Sequence, residues 1–220
     1  VGGKHIIYNA MMATLNKNDE VIIPAPYWVS YPDIVLLAEG KPIFVECNSS
    51  QNFKITPSQL EKNINKKTKW LILNSPSNPT GAIYSKKELK ELSEVLMKFP
   101  NVLILTDDIY EKIIYDDSVF HTMASVEPKL KERTLTLNGV SKAYCMTGWR
   151  LGYCGGPKEI IKGMNKIQSQ STTSTSSISM AAAVEALNGD QEFIKIHNEK
   201  FKKIKNNIVE KLNNIDGISC

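Results

Sequence analysis

Arginine is scarce in this chain: of 27 basic residues, only Arg133 and Arg150 carry a guanidinium. The remaining positive charge is lysine, scattered in pairs such as Lys86-Lys87 and Lys202-Lys203. Without an arginine-rich stripe or an aromatic platform, the net charge of +4 points to solvated helix faces rather than a nucleic-acid surface. Long apolar runs are also missing. No stretch approaches the roughly 20 residues of a membrane-spanning helix, and no secretory leader is evident. Cysteine is limited to Cys47, Cys145, Cys154 and Cys220, with no CxxC pair and no metal-ligand spacing. That pattern excludes a disulfide framework and a metal centre as expectations, and suits reduced thiols in the cytoplasm. Internal repeats are absent.

What is present is ordinary globular material, 42% apolar and 23% charged over 220 residues, enough for one large domain. Short β-branched runs at 20–23, 42–46, 69–74, 102–106, 134–137 and 151–154 alternate with helical patterns at 3–15, 31–39, 57–65, 86–98 and 157–168. Alternation of this kind predicts an α/β fold with a mainly parallel sheet and helices on both faces. Thr56 before Pro57 supplies a capping hydroxyl at a helix start, and Ser85-x-x-Glu88 has capping-box spacing. From Ile178 the character changes to a helix over 180–187 and a long amphipathic one over 191–212. The Ser/Thr-rich stretch 169–179 is expected to be an ordered loop. We expect 1–188 to form the large domain and 189–220 to lead toward a second one. The opening at Val1-Gly2-Gly3 and the end at Cys220 suggest an internal piece of a longer polypeptide.

The most informative run is Asn138-Gly139-Val140-Ser141-Lys142-Ala143-Tyr144-Cys145-Met146-Thr147-Gly148-Trp149-Arg150. A lysine held between an apolar strand and a Gly/aromatic segment can lose its proton and attack a carbonyl carbon, forming a Schiff base. Arg150, eight residues on, offers the planar fork that meets a phosphate dianion. Read without context, the pair is also compatible with a surface lysine and an ion-pairing arginine. Four other segments fall at strand ends or helix starts, where open α/β sheets bind ligands. Gly2-Gly3-Lys4 precedes a helix, where backbone N–H groups can close on a phosphate. Pro26-Tyr27-Trp28 follows a strand, Asn74-Ser75-Pro76-Ser77-Asn78-Pro79-Thr80-Gly81 follows another, and Thr106-Asp107-Asp108-Ile109-Tyr110 ends a third. Taken singly, the first of these reads as a turn and Trp28 as core, while the acids point to a site, with solvated loop carboxylates as the alternative.

Together these runs resemble the signature of the fold-type I pyridoxal-phosphate aminotransferases, in particular the aspartate/prephenate branch. The resemblance covers essentially the whole chain and implies the large cofactor-binding domain of that fold. It implies pyridoxal 5'-phosphate on Lys142, with Gly2, Gly3, Lys4, Ser141 and Arg150 around its phosphate and Trp28 stacked on its ring. Asn78 and Tyr110 would meet the phenolate oxygen, and Asp107 would hold the ring nitrogen protonated. Asp108 stands where glutamate is common and is expected to point away. Gly139 departs from the serine frequent three residues before the lysine, which removes one side-chain phosphate donor.

The implied activity is transfer of an amino group between aspartate or glutamate and a 2-oxo acid. Lys142, Asp107 and Tyr110 are the implied catalytic set. Substrate contacts fall to Lys4, Trp28 and Asn78, and to Ser171 across a homodimer. Lys4 reads equally as a solvated first-turn lysine. Tyr27-Trp28-Val29-Ser30-Tyr31 and the run 168–174 also resemble the aspartate branch. Prephenate transamination, a lyase on the same fold and a ligand-sensing regulator remain alternatives. The arginine that grips the substrate α-carboxylate in this family lies beyond Cys220, and Arg133 is not a match for it.

Overall fold

The computed structural model describes residues 1–115 and 117–220. Six strands form one sheet: β1 (Glu20–Ala25), β2 (Lys41–Glu46), β3 (Thr68–Asn74), β4 (Leu103–Asp107), β5 (Thr134–Gly139) and β6 (Gly152–Gly155). Their order is β2-β1-β3-β4-β5-β6. Every neighbouring pair is parallel except β5–β6, which is antiparallel. The helices are α1 (Gly2–Thr14), α2 (Ser30–Leu37), α3 (Pro57–Asn63), α4 (Lys86–Met97), α5 (Met123–Val126), α6 (Lys158–Ser169), α7 (Ser177–Asn188) and α8 (Glu192–Asn213). The mainly parallel α/β expectation holds. The short α5 and three 3-10 turns, at Ser49–Gln51, Pro128–Arg133 and Thr147–Trp149, carry too little periodicity to read from sequence.

The pleat divides the apolar strands between two cores. Val21, Ile23, Trp70, Ile72 and Leu105 pack with Ile7 and Met11 of α1, Val35 of α2 and Met164 of α6. Their neighbours Ile22, Leu71, Leu73 and Ile104 turn the other way, onto Leu60 of α3, Leu92 and Leu96 of α4 and Met123 of α5. Successive side chains alternate in a strand, so a sheet covered on both faces needs apolar residues at both parities. The largest fully buried side chain, Trp70, still satisfies its indole N–H, donating to Thr14 Oγ1 at 2.9 Å.

Helix ends follow their chemistry. Ser85 and Glu88 close the expected capping box on α4, and Thr56 with Gln59 closes a second on α3. Arg133, the arginine without a role in the sequence reading, finishes α4. Its Nη1 donates to the carbonyls of Phe99 and Val102, and its Nη2 to that of Leu96. The planar fork reaches three carbonyls at once, two of which, Leu96 and Phe99, also accept a backbone N–H.

A third cluster joins Val140, Ala143, Tyr144 and Leu151 to Ala183 of α7 and Ile194 of α8. It ties the segment around Lys142 to the C-terminal helices. The amphipathic reading of α8 needs qualification: Ile194 is its one buried residue, and Ile196, Phe201, Ile204 and Ile208 are exposed. Among the described residues, no helix is long and apolar enough to cross a membrane.

Candidate active site

Parallel strands bring their C-terminal ends to one edge of the sheet, and the side chains singled out above collect there. In register, Asn74 at the end of β3 lies beside Asp107 at the end of β4. An open cavity of about 160 Å³ sits over this edge. Gly3 and Lys4 of α1, Trp28, Asn78, Asp107, Tyr110, Ser141, Lys142 and Arg150 all contribute to its wall. Lys142 and Asp107 therefore face one space rather than opposite sides of the sheet.

Asp107 is fully enclosed, and each carboxylate oxygen has a donor. Oδ2 accepts from the Tyr31 phenol at 2.7 Å, and Oδ1 accepts from the Ile109 backbone N–H at 3.3 Å. Burial pushes its carboxyl up to about 6, opposed by those two hydrogen bonds and by the charge of Lys142. The Tyr31 phenol is driven well above its usual range, first by burial and then by the Asp107 charge, so it stays a neutral donor. Asp108 turns away from the cavity as expected, but it is not solvated. Burial pushes it up to about 8, against a hydrogen bond with the Thr122 side chain and in concert with the charges of Asp107 and Glu111.

The aromatic and cationic groups are arranged around this acid. Lys142 Nζ stands 5.5 Å from the centre of the Tyr110 ring, and Lys4 Nζ stands 4.9 Å from the Trp28 ring. The Asn74 side chain organises the loop that carries Asn78. Its Nδ2 donates to the Asp107 carbonyl at 2.7 Å, and its Oδ1 accepts from the Asn78 N–H at 2.8 Å. Gly81, at φ +71°, closes that loop through its N–H to the Ser77 carbonyl.

Arg150 is held at one end of the cavity by its Nη1 bond to the Thr147 carbonyl, 2.9 Å long. Gly2, although outside the wall, shapes this end. At φ +75° it adopts a backbone that side chains rarely take, and a Cβ there would lie 2.7 Å from Arg150 Nη2. The start of α1 has no side-chain cap, so its first N–H groups are open to an anion. Gly139 is explained by space. A Cβ at that position would meet the Leu151 carbonyl oxygen at 2.9 Å, and serine would force β5 and β6 apart.

Ser171, expected to act across a homodimer, lies away from the cavity of its own chain, where its hydroxyl donates to the Ile167 and Gln168 carbonyls at the end of α6. Tyr31, Asn74, Thr147, Ile109 and Leu137 line the cavity without having been singled out for it. Tyr31 had two available signals: it ends the run 27–31 noted above, and it follows Trp28 by three residues, the spacing that puts two side chains on the same side of a helix start. Among the described residues, no group of three or more His, Cys, Asp or Glu could hold a metal ion.

The resemblance extends to known proteins. The family model for aminotransferase class I and II matches residues 1–220. An aspartate/prephenate aminotransferase of Cereibacter sphaeroides is 57% identical over 219 residues, covering 100% of this chain and 55% of that protein. An aspartate aminotransferase of Rhizobium meliloti is 55% identical, with 100% of this chain and 53% of that protein covered. The crystal structure of the Rhizobium meliloti aspartate aminotransferase superposes with a TM-score of 0.98 at 55% identity, over 100% of this chain and 55% of that one. The Thermus thermophilus aspartate aminotransferase with maleate gives a TM-score of 0.91 at 40% identity, over 97% of this chain and 55% of that one. The chain thus spans about half the length of the relatives it matches. With a family match from end to end and a shared sheet edge that gathers the signature lysine, acid and arginine, the chain belongs to the class I and II aminotransferases.

Proposed function

We propose that this chain is the cofactor-binding part of a pyridoxal-phosphate-dependent aspartate aminotransferase. The observation that carries the reading is the facing of Lys142 and Asp107 across one cavity, with Arg150 and the α1 start in the same enclosure. The donor set fits the cofactor: an amine for its aldehyde, an enclosed carboxylate for its ring nitrogen, and a guanidinium with open N–H groups for its phosphate. Pyridoxal phosphate, when bound, supplies a cationic conjugated ring that accepts the electron pair left at the substrate α-carbon.

The roles of the chain's own residues follow. Lys142 Nζ would be the amine that holds the cofactor, and as a free amine it would carry the proton to and from the substrate α-carbon as general base. Asp107, ionised, keeps the ring nitrogen protonated. Tyr110 and Asn78 would donate to the phenolate oxygen, and Trp28 would cover one ring face. Arg150, Ser141 and the N–H groups of Gly2 and Gly3 hold the phosphate. Lys4, beside Trp28, receives the side-chain carboxylate of a dicarboxylic substrate. The Thermus thermophilus structure, determined with maleate, supports a dicarboxylate preference. We place 1–188 in the large domain, treat 189–220 as its connection onward, and read the intact protein as a cytoplasmic homodimer.

The test is an absorbance spectrum of the intact protein. Aspartate should convert the cofactor band and 2-oxoglutarate should restore it; no change with either ends the reading. Borohydride reduction followed by peptide mapping should place the label on Lys142. Prephenate as amino acceptor is the second reading, favoured by the name of the Cereibacter sphaeroides relative. A direct assay with prephenate and an amino donor decides it.

A further inference from the structure

We propose that Tyr31 is a positioning residue for Asp107, fixing the orientation and the ionisation of the acid that faces the cofactor ring. The inference rests on the cofactor reading above and adds to it a residue to which that reading gives no role. Tyr31 comes from the first turn of α2, and Asp107 ends β4, 76 residues away. Their 2.7 Å contact joins two otherwise separate walls of the cavity.

Three features make this more than a packing contact. Tyr31 is 2% exposed, so its O–H cannot turn to water, and Asp107 Oδ2 is the acceptor it meets. A buried carboxylate without donors would take up a proton, and a protonated acid cannot stabilise a cationic ring. The second donor, Ile109 N–H, lies at 3.3 Å on the other oxygen and leaves Oδ2 dependent on Tyr31. In addition, the Tyr31 ring meets the Trp28 ring edge-on, with centroids 5.4 Å apart at 90°, and its N–H donates to the Trp28 carbonyl. The surface that covers the ring and the acid that faces its nitrogen are thus set by one side chain.

Other ionisable groups face Asp107 and must be considered in any pH reading. Lys142 comes from the β5–β6 connection, and Asp108 and Tyr110 come from the segment after β4. Lys4 of α1 and Arg150 line the same cavity. Lys142 is the one whose charge opposes protonation of Asp107, and Tyr31→Phe leaves it in place.

The experiment uses the intact protein carrying pyridoxal phosphate and reads the pH midpoint of the cofactor absorbance band, without turnover. Tyr31→Phe keeps the ring and the Trp28 contact and removes only the donor. A less stable anion at Asp107 leaves the ring nitrogen less fully protonated. The nitrogen of Lys142 then keeps its proton to higher pH. The midpoint should rise by about one to two units, the range expected for loss of one hydrogen bond to a charged group. Replacing Tyr31 with 3-fluorotyrosine, a stronger donor of nearly the same shape, should lower it. In an Asp107→Asn background, Tyr31→Phe should move the midpoint no further.

An unmoved midpoint, or an equal shift in that background, overturns the role given to Tyr31. If Tyr31→Phe does not fold, the fluorotyrosine protein alone decides: a midpoint that fails to fall refutes the proposal. Borohydride labelling of Lys142 in the unaltered protein separates the two levels. Label present with an unmoved midpoint removes Tyr31 alone, whereas no label on Lys142 removes the cofactor reading itself.

Discussion

Gly152→Ala tests whether the phosphate end of the site is held by contact between two backbones. A Cβ on Gly152 would lie 2.7 Å from the Gly3 nitrogen and 2.8 Å from the Gly2 carbonyl carbon. Ordinary contact begins near 3.4 Å, so the first turn of α1 must withdraw by about 0.7 Å. Both obstructing atoms are main chain, and no rotamer change can relieve them. Overpacking of this kind costs about 1–3 kcal/mol, or a melting temperature lower by about 2–12 °C for a domain of this size. The withdrawal also moves the Gly3 N–H and the Gly2 backbone that lies against Arg150. Affinity for pyridoxal phosphate should therefore fall about tenfold for each 1.4 kcal/mol lost there. Gly155→Ala is the control: it lies on the same strand, and its Cβ would meet no heavy atom within 4 Å. Thermal melts of the cofactor-free protein and a fluorescence titration with pyridoxal phosphate give the two readouts. If Gly152→Ala matches Gly155→Ala in both, the close approach of α1 to β6 does not support the site.

Arg133→Met should cost about 2–4 kcal/mol in denaturant unfolding, because three carbonyls at the end of α4 lose a charged donor; a loss under 0.5 kcal/mol would contradict the capping role. Asp108 retains a proton in the folded state up to about pH 8, whereas the unfolded chain releases it near pH 4, so it lowers stability as pH rises through that window by at most about 1.4 kcal/mol per unit. Asp108→Asn should accordingly lose less melting temperature than the unaltered protein between pH 5 and pH 8, and parallel curves would refute the assignment. Lys4→Ala should raise KM for aspartate about tenfold or more while leaving an uncharged amino acid little affected; equal effects on both would remove Lys4 from substrate choice.

The sheet was legible because apolar runs at both parities leave few alternatives to strands covered on both sides, and all six appear within a few residues of their expected bounds. The candidate site groups were legible for a different reason. Asp107, Asn78 and Lys142 each sit at or beyond the point where such a run ends, and the chemistry restricts the residue type there. What escaped was whatever depends on a partner far along the chain. Tyr31 looks like an ordinary apolar residue at a helix start until Asp107 is placed against it. Gly152 looks like an ordinary strand glycine until the start of α1 closes over it. The apolar stripe of α8 is where expected but mostly exposed in this chain, since periodicity reports only that a face is apolar, not what lies against it. Both supports belong to the group that a substitution table would treat as safe: tyrosine to phenylalanine, glycine to alanine. If the site works as proposed, those two small changes should damage it more than many larger changes on the lysine-rich surface, because one removes the donor at a buried carboxylate oxygen and the other adds a methyl group where two backbones already touch.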